Sequence, residues 1–326
     1  MDNLTHSLTG LMLARAGLNR VSPRAAWLLV LASNLPDSDV VTAMGGSLTY
    51  LDHHRGITHG LAMAPVVGLA AAGIVRLFGP LPMLRATLVA TVGVILHLLM
   101  DWTNTYGIRL LLPFSNEWLR LDMTNVVDVW IWALLLLGVG APFLSGLVSG
   151  EIGGKRSSGR GMAVTVLVLL LGYEVWRFTL HEQAVAAVSA HIYEGGVPRR
   201  VEAYPNFLNP WEWVTVAETA EVTVLQRINL LERYDPRGGA VLYPPANTKA
   251  IQAAQGTDTL QRYLRFNPHP LWRITPAPEP EGAIRVRATD LRFADPEEPR
   301  FNAWAVLDPA GRVVEEQFTF GRVKPR

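Results

Sequence analysis

The chain of 326 residues contains no cysteine. That absence removes disulfides, thiolate metal sites, iron–sulfur clusters and cysteine nucleophiles together, and leaves any metal site to His, Asp and Glu. Charge is also scarce, at 17% of residues, against about 25% in an average soluble protein. The formal net charge is +1, so no bulk field steers a polyanion, which argues against a nucleic-acid-coating protein or an acidic tail. What the chain has instead is 49% hydrophobic residues, ten Trp and a mean hydropathy of +0.20. These are the proportions of a membrane protein. The length permits one large or two ordinary domains with a substantial core.

The apolar excess is concentrated before residue 180. Segments 126–149 and 162–180 approach the roughly 20 residues needed to cross a bilayer. Segments 60–79 and 86–100 are shorter or rich in Gly and Ala, and 24–41 is apolar until Asn34, Pro36, Asp37 and Asp39. Segment 4–18 is a helix too short to span alone, and no basic region precedes it as a signal peptide requires. The pattern predicts an all-α polytopic membrane helix bundle over 1–180, of about six helices with the first one short. Four or five of them span. Residues 181–326 change character, with Pro-rich connections and Val-, Phe- and Thr-rich stretches at 220–225, 283–293, 301–307 and 312–320. They predict a soluble C-terminal domain, α+β or mostly β.

Lys and Arg in short loops set the direction of threading. Arg15, Arg20, Arg24, Arg76, Arg85, Lys155, Arg156 and Arg160 lie at one set of ends, against Arg55, Arg109 and Arg120 at the other. The first set belongs in the cytoplasm. The expected localisation is the bacterial inner membrane, multi-pass, with the C-terminal domain extracytoplasmic.

Polar groups in membrane segments are costly, so each asks for a partner. Five of the eight His fall in the first hundred residues: His6, His53, His54, His59 and His97. Beside them stand Asp37, Asp39 and Asp101. His97 and Asp101 are four apart and share a helix face. With alternating helix directions, His6, Asp37, Asp39, His54, His59, His97 and Asp101 all fall at the extracytoplasmic end of the bundle. An imidazole and carboxylate set without thiolate suits Zn, with Mn or Fe as alternatives, for one or two ions. Taken singly, each residue has a bland reading. A lone His on an apolar helix is usually a satisfied core residue, Asp37 can punctuate a Pro turn, and His53 reads as an exposed loop residue. The convergence is what favours a metal site. His181, His191 and His269 have no such company and are read as ordinary residues.

The motifs Thr5-His6-Ser-Leu-Thr-Gly10, Leu35-Pro-Asp-Ser-Asp39, His54-Arg-Gly-Ile-Thr-His59-Gly60 and His97-Leu-Leu-Met-Asp101, followed by Gly107 and Pro113-Phe114, carry a resemblance. They are similar to the predicted membrane-bound metal-dependent hydrolases, also described as LexA-binding, inner-membrane-associated hydrolases. The resemblance covers roughly residues 1–150, and Asp128 matches the family's acidic position before its next helix. Gly60 stands where the family often has Ser. The resemblance implies a divalent-metal hydrolase and supplies no substrate; the LexA contact is not carried over, because the site is read as extracytoplasmic.

For such an enzyme, His6, Asp37, His54, His59, His97 and Asp101 are the metal-ligand candidates. Asp39 is a ligand or an orienter of a ligating His, and Arg55 offers a planar fork to a phosphate or carboxylate. Asp39 and Arg55 are the candidates for contributing to turnover, with Thr58 and Asn104 as possible donors to substrate. Metal-activated water would attack an ester or phosphodiester, lipid-linked if the site opens on headgroups. The expected partners are membrane lipid and a small-molecule or lipid-like substrate, and no nucleic acid. Three alternatives stand beside this. A phosphatase with a His97 nucleophile lacks an accompanying basic signature. A divalent-metal carrier or sensor would spread polar groups along a path, and a plain membrane anchor needs no His cluster.

Overall fold

The computed structural model describes residues 1–151, 159–194, 196–293 and 301–320. They form helices α1 (Asn3–Ala16), α2 (Ala25–Ala32), α3 (Ser47–His53), α4 (Ala64–Arg76), α5 (Met83–Thr103), α6 (Val129–Glu151), α7 (Arg160–Ser189), α8 (Thr248–Gln255) and α9 (Asp258–Phe266). The strands are β1 (Arg200–Pro205), β2 (Glu212–Glu218), β3 (Thr223–Asn229), β4 (Ala240–Leu242), β5 (Leu271–Pro276), β6 (Ile284–Thr289), β7 (Phe301–Leu307) and β8 (Val313–Phe320). Contacts divide the chain into two compact units. One comprises Met1–Asp39, Arg55–Gln183 and Tyr204–Trp213; the other comprises Val40–His54, Ala184–Ala203 and Val214–Arg326.

The expectation of a six-helix, all-α polytopic bundle is overturned. Among the described residues only α5 and α7 are long and apolar enough to cross a membrane, and a third candidate, Ser47–His59 with Leu61–Arg76, is bent by 56°. The reason is helix length. At about 1.5 Å per residue, the 8 residues of α2 and the 13 of α4 fall short of a bilayer core of about 30 Å. Pro36, Asp37 and Asp39 turn the apolar run after α2 into a 3-10 segment, Pro36–Gly45. α6 carries Pro142, and its apolar stretch is Val129–Pro142. Lys155 and Arg156, used above for threading, lie outside the described residues.

In the first unit, α1, α2, α4 and α5 enclose a core of Ala14, Leu28, Leu29, Ala71, Ala90, Val94 and Leu98. Small residues let the backbones approach, as between membrane helices. A Cβ on Gly10 would lie 2.8 Å from the Leu29 carbonyl oxygen, and one on Gly68 2.5 Å from Thr91 Oγ1. The outer faces of α5 and α7 expose Leu84, Leu88, Val168 and Leu171, an apolar surface that suits lipid rather than water.

The strands form two four-stranded sheets, β1-β2-β3-β4 and β5-β6-β7-β8, each strand pairing with its sequence neighbour, and the β5–β8 sheet lies wholly in the second unit. The second sheet is antiparallel throughout, with Arg273 opposite Arg287, Arg287 opposite Trp304 and Trp304 opposite Gln317. One of its faces is covered by α9, whose buried Leu260, Tyr263 and Phe266 form an apolar stripe. The Tyr263 hydroxyl donates to the Phe301 carbonyl at 3.2 Å, and its ring meets Phe318 at 5.8 Å. α3 joins this layer through Asp52, paired with Arg262 at 3.1 Å and Arg265 at 3.4 Å.

Candidate metal centre

Four segments of the first unit bring the site together. The Asp2 side chain caps α1, accepting from the Leu4 and Thr5 amides at 3.0 and 3.1 Å, and sets His6 on the buried face of that helix. Pro36 opens the 3-10 segment that carries Asp37 and Asp39. The turn after α3 follows from Arg55, which adopts a positive φ of 53°; its amide donates to Asp39 Oδ2 at 2.8 Å. That turn leads into the short 3-10 helix Ile57–His59. α5 supplies His97 and Asp101 one turn apart.

The ligand atoms of Asp37, His59, His97 and Asp101 lie within 4.8 Å of one another. The two Nε2 atoms of His59 and His97 are 3.1 Å apart. Asp37 Oδ1 is 3.3 Å from His59 Nε2 and 3.9 Å from His97 Nε2. Asp101 Oδ2 is 3.5 and 3.4 Å from the same two nitrogens and has no hydrogen-bond partner among the described residues. His59, His97 and Asp101 are fully buried.

The outer contacts decide where the protons are. His97 Nδ1 faces the Ser33 carbonyl at 2.8 Å, a pure acceptor, so Nδ1 carries the proton and Nε2 presents a lone pair. His59 Nδ1 lies 3.3 Å from Asp39 Oδ2 and 3.0 Å from Thr58 Oγ1, which is itself 3.2 Å from the same carboxylate. The same reasoning leaves the His59 Nε2 lone pair facing inward. A single proton between the rings would satisfy two of the four groups. One cation satisfies all four, and the backing of each imidazole by a carbonyl or carboxylate is the arrangement that orients metal-bound histidines.

Asp101 is held from behind. Its Oδ1 meets Arg55 Nη2 at 3.0 Å, Asn104 Nδ2 at 3.3 Å, His6 Nε2 at 3.4 Å and the Met1 amino group. Arg55 is itself fixed: Nη1 donates to Asn104 Oδ1 and the Gly107 carbonyl, each at 3.0 Å, and the guanidinium lies 4.8 Å over the Tyr106 ring. The His6 ring packs on His97 with centroids 3.9 Å apart, and neither of its nitrogens has a hydrogen-bond partner among the described residues. Burial, with the amino-terminal and Arg55 charges nearby, lowers its pKa well below the ordinary value, so the ring is neutral.

Of the residues the sequence singles out, Asp37, His59, His97 and Asp101 form the cluster and His6 abuts it. Asp39 stands behind His59, and Arg55 and Asn104 stand behind Asp101. Thr58 bonds Asp39 rather than facing the four-residue centre. His54 falls in the second unit, stacked on Tyr50 with centroids 4.5 Å apart. Asp128 caps α6, accepting from the Trp130 and Ile131 amides at 3.0 and 3.2 Å and from Tyr173. Gly60 has a local reason: a Cβ there would lie 2.6 Å from the Leu112 carbonyl oxygen, so this turn excludes Ser. Sequence reasoning did not find the Ser33 carbonyl or the Tyr106 ring. Nothing in residue type marks a backbone acceptor, though its position at the end of α2 leaves that carbonyl unpaired within the helix.

The chain is similar to known bacterial proteins. The chain is 24% identical over 307 residues to the uncharacterized protein YfhP of Bacillus subtilis (strain 168), covering 90% of this chain and 87% of that one. It is 31% identical over 118 residues to the inner membrane protein YbcI of Escherichia coli (strain K12), covering 35% of this chain and 68% of that one. No solved structure matches. Residues 1–184, which include the whole His and Asp cluster, match the model of the YdjM inner membrane proteins. The chain belongs to the YdjM inner membrane protein family.

Proposed function

We propose that this protein is a membrane-bound, metal-dependent hydrolase acting on an ester or phosphodiester. The observation that carries the reading is the inward-facing quartet of Asp37, His59, His97 and Asp101, whose lone pairs exceed the protons available to them. These four would hold the ion, most plausibly Zn for an imidazole and carboxylate set, with Mn or Fe as alternatives. A bound divalent ion supplies a water acidified toward neutral pH and a Lewis acid for the ester oxygen. Asp39 and the Ser33 carbonyl fix the tautomers of His59 and His97. Arg55 and Asn104 neutralise and orient one oxygen of Asp101, leaving the other directed at the quartet. Neutral His6, neither of whose nitrogens has a hydrogen-bond partner among the described residues, lies beside Asp101.

In this reading α5 and α7 both cross the inner membrane outward, the chain returning between them through α6, the metal centre lies at the extracytoplasmic face, and a lipid-linked ester is the favoured substrate. Loop Lys and Arg support the orientation. It is tested by cysteines at Asn19 and Leu231: an impermeant thiol reagent should label only the second in intact cells, and the reverse pattern would invert the threading.

The test of activity uses metal-loaded protein against panels of phosphodiesters and lipid esters, with metal flux measured on the same proteoliposomes. Hydrolysis that disappears in Asp37→Asn and on chelation supports the enzyme. Flux without hydrolysis of any substrate would establish a carrier instead.

A further inference from the structure

The second sheet of the second unit has one face covered by α9 and an opposite face with an unusual concentration of charge. Register places Arg273 directly opposite Arg287, and Arg287 directly opposite Trp304. Arg285 lies two residues from Arg287 on the same strand, hence on the same face. Directly opposed side chains in a sheet have Cβ atoms about 5 Å apart and diagonal ones about 7–8 Å. The three guanidinium groups therefore stand around one small area. The Arg285 guanidinium carbon lies over the Trp304 indole, 4.5 Å from its centroid, and Trp304 is buried.

Like charges directly opposite each other destabilise a sheet, and folds usually relieve them with a carboxylate. Here no ion pair joins Arg273, Arg285 or Arg287 to an acid among the described residues. Glu315 shares the face, but across Val306 from Arg285 and exposed. The Nε atoms of Arg285 and Arg287 are buried and have no hydrogen-bond partner among the described residues. Burial, then the charges of Arg285 and Arg273, lowers the pKa of Arg287. Three forked donors without an acceptor, backed by an indole, match the shape and charge of a tetrahedral oxyanion.

We propose that Arg273, Arg285 and Arg287 form a binding site for one phosphate group, presented either by a soluble anion or by a phospholipid headgroup. The site is separate from the metal centre and does not depend on the hydrolase reading. The guanidinium forks would supply charge-assisted hydrogen bonds, and Trp304 would hold Arg285 in place as the floor.

The experiment is calorimetric titration of the full chain in neutral detergent. Its two probes are inorganic phosphate and dihexanoyl phosphatidylglycerol, and the proteins are the unmodified chain, Arg273→Gln, Arg287→Gln and Arg287→Lys. At least one probe should bind, and each Gln variant should weaken it roughly tenfold or more, the loss expected for a charge-assisted bond. Arg287→Lys should fall between, keeping charge but losing the fork. Binding of phosphate would identify a soluble anion site; binding of the lipid alone would identify a headgroup site. Melting without ligand guards against misfolding: Arg273→Gln should be at least as stable as the unmodified chain, because it removes like-charge repulsion. Absence of binding by both probes, or binding equal in the Gln variants, would overturn the proposal.

Discussion

In the first unit, imidazole nitrogens and carboxylate oxygens face one another with acceptors in excess. On the face of the β5–β8 sheet opposite α9 in the second unit, guanidinium donors are in excess. Both arrangements are poor when considered alone, since buried polar groups are normally paired. They differ in how rigidly the excess is maintained. Three of the four are backed, His97 by Ser33, His59 by Asp39 and Thr58, and Asp101 by Arg55 and Asn104, so their lone pairs cannot relax by rotating away. The arginines have fixed backbones but long side chains, and only Arg285 is braced, by Trp304. Rigid preorganisation around a small centre is the mark of a metal site, whereas a flexible fork suits a larger ligand that arrives from outside.

The largest effect that would break this comparison lies at Arg55. Arg55→Gln removes the guanidinium from buried Asp101, and loss of one partner of a buried ion pair costs about 3–5 kcal/mol. Thermal unfolding in detergent should show that loss without metal and a partial recovery with it; an unchanged transition would mean that Asp101 is not held by Arg55. Next comes Asp39→Asn, which keeps the hydrogen bonds available but weakens the backing of His59. Metal affinity should fall about 10–100-fold while the fold is retained, as read by competition with a chromophoric chelator. An unaltered affinity would place Asp39 outside the function of the centre. The smallest effect lies in the second unit. Arg273→Gln relieves a directly opposed like-charge pair and should raise stability by about 0.2–1 kcal/mol without anion. A drop in stability would show that Arg273 serves packing instead.

Much of the metal centre was legible because its chemistry is local. His97 and Asp101 share a helix face at a spacing of four, and Pro36 between Leu35 and Asp37 marks a break that an apolar helix has no other reason to contain. The membrane architecture was less legible. Hydropathy reports the preference of residues for an apolar surrounding and not how far a helix runs, so the apolar stretches of α2 and α4 read as spans when both helices are short. In the second unit, the long alternating strands β7 and β8 coincide with their sequence pattern. The three-residue β4 and the hairpin of β1 and β2 carry too little alternation to be seen, and the placement of Arg273 against Arg287 depends on register, which pattern alone does not give.

The central claim is that the quartet holds a divalent cation, and metal content tests it most directly. Elemental analysis of the unmodified protein, purified in detergent without chelator, should give one or two transition-metal ions per chain. His97→Ala, expressed and purified alongside, should retain its fold and lose the metal. Unmodified protein that is folded, metal-free and unable to take up Zn, Mn or Fe on addition would contradict the account.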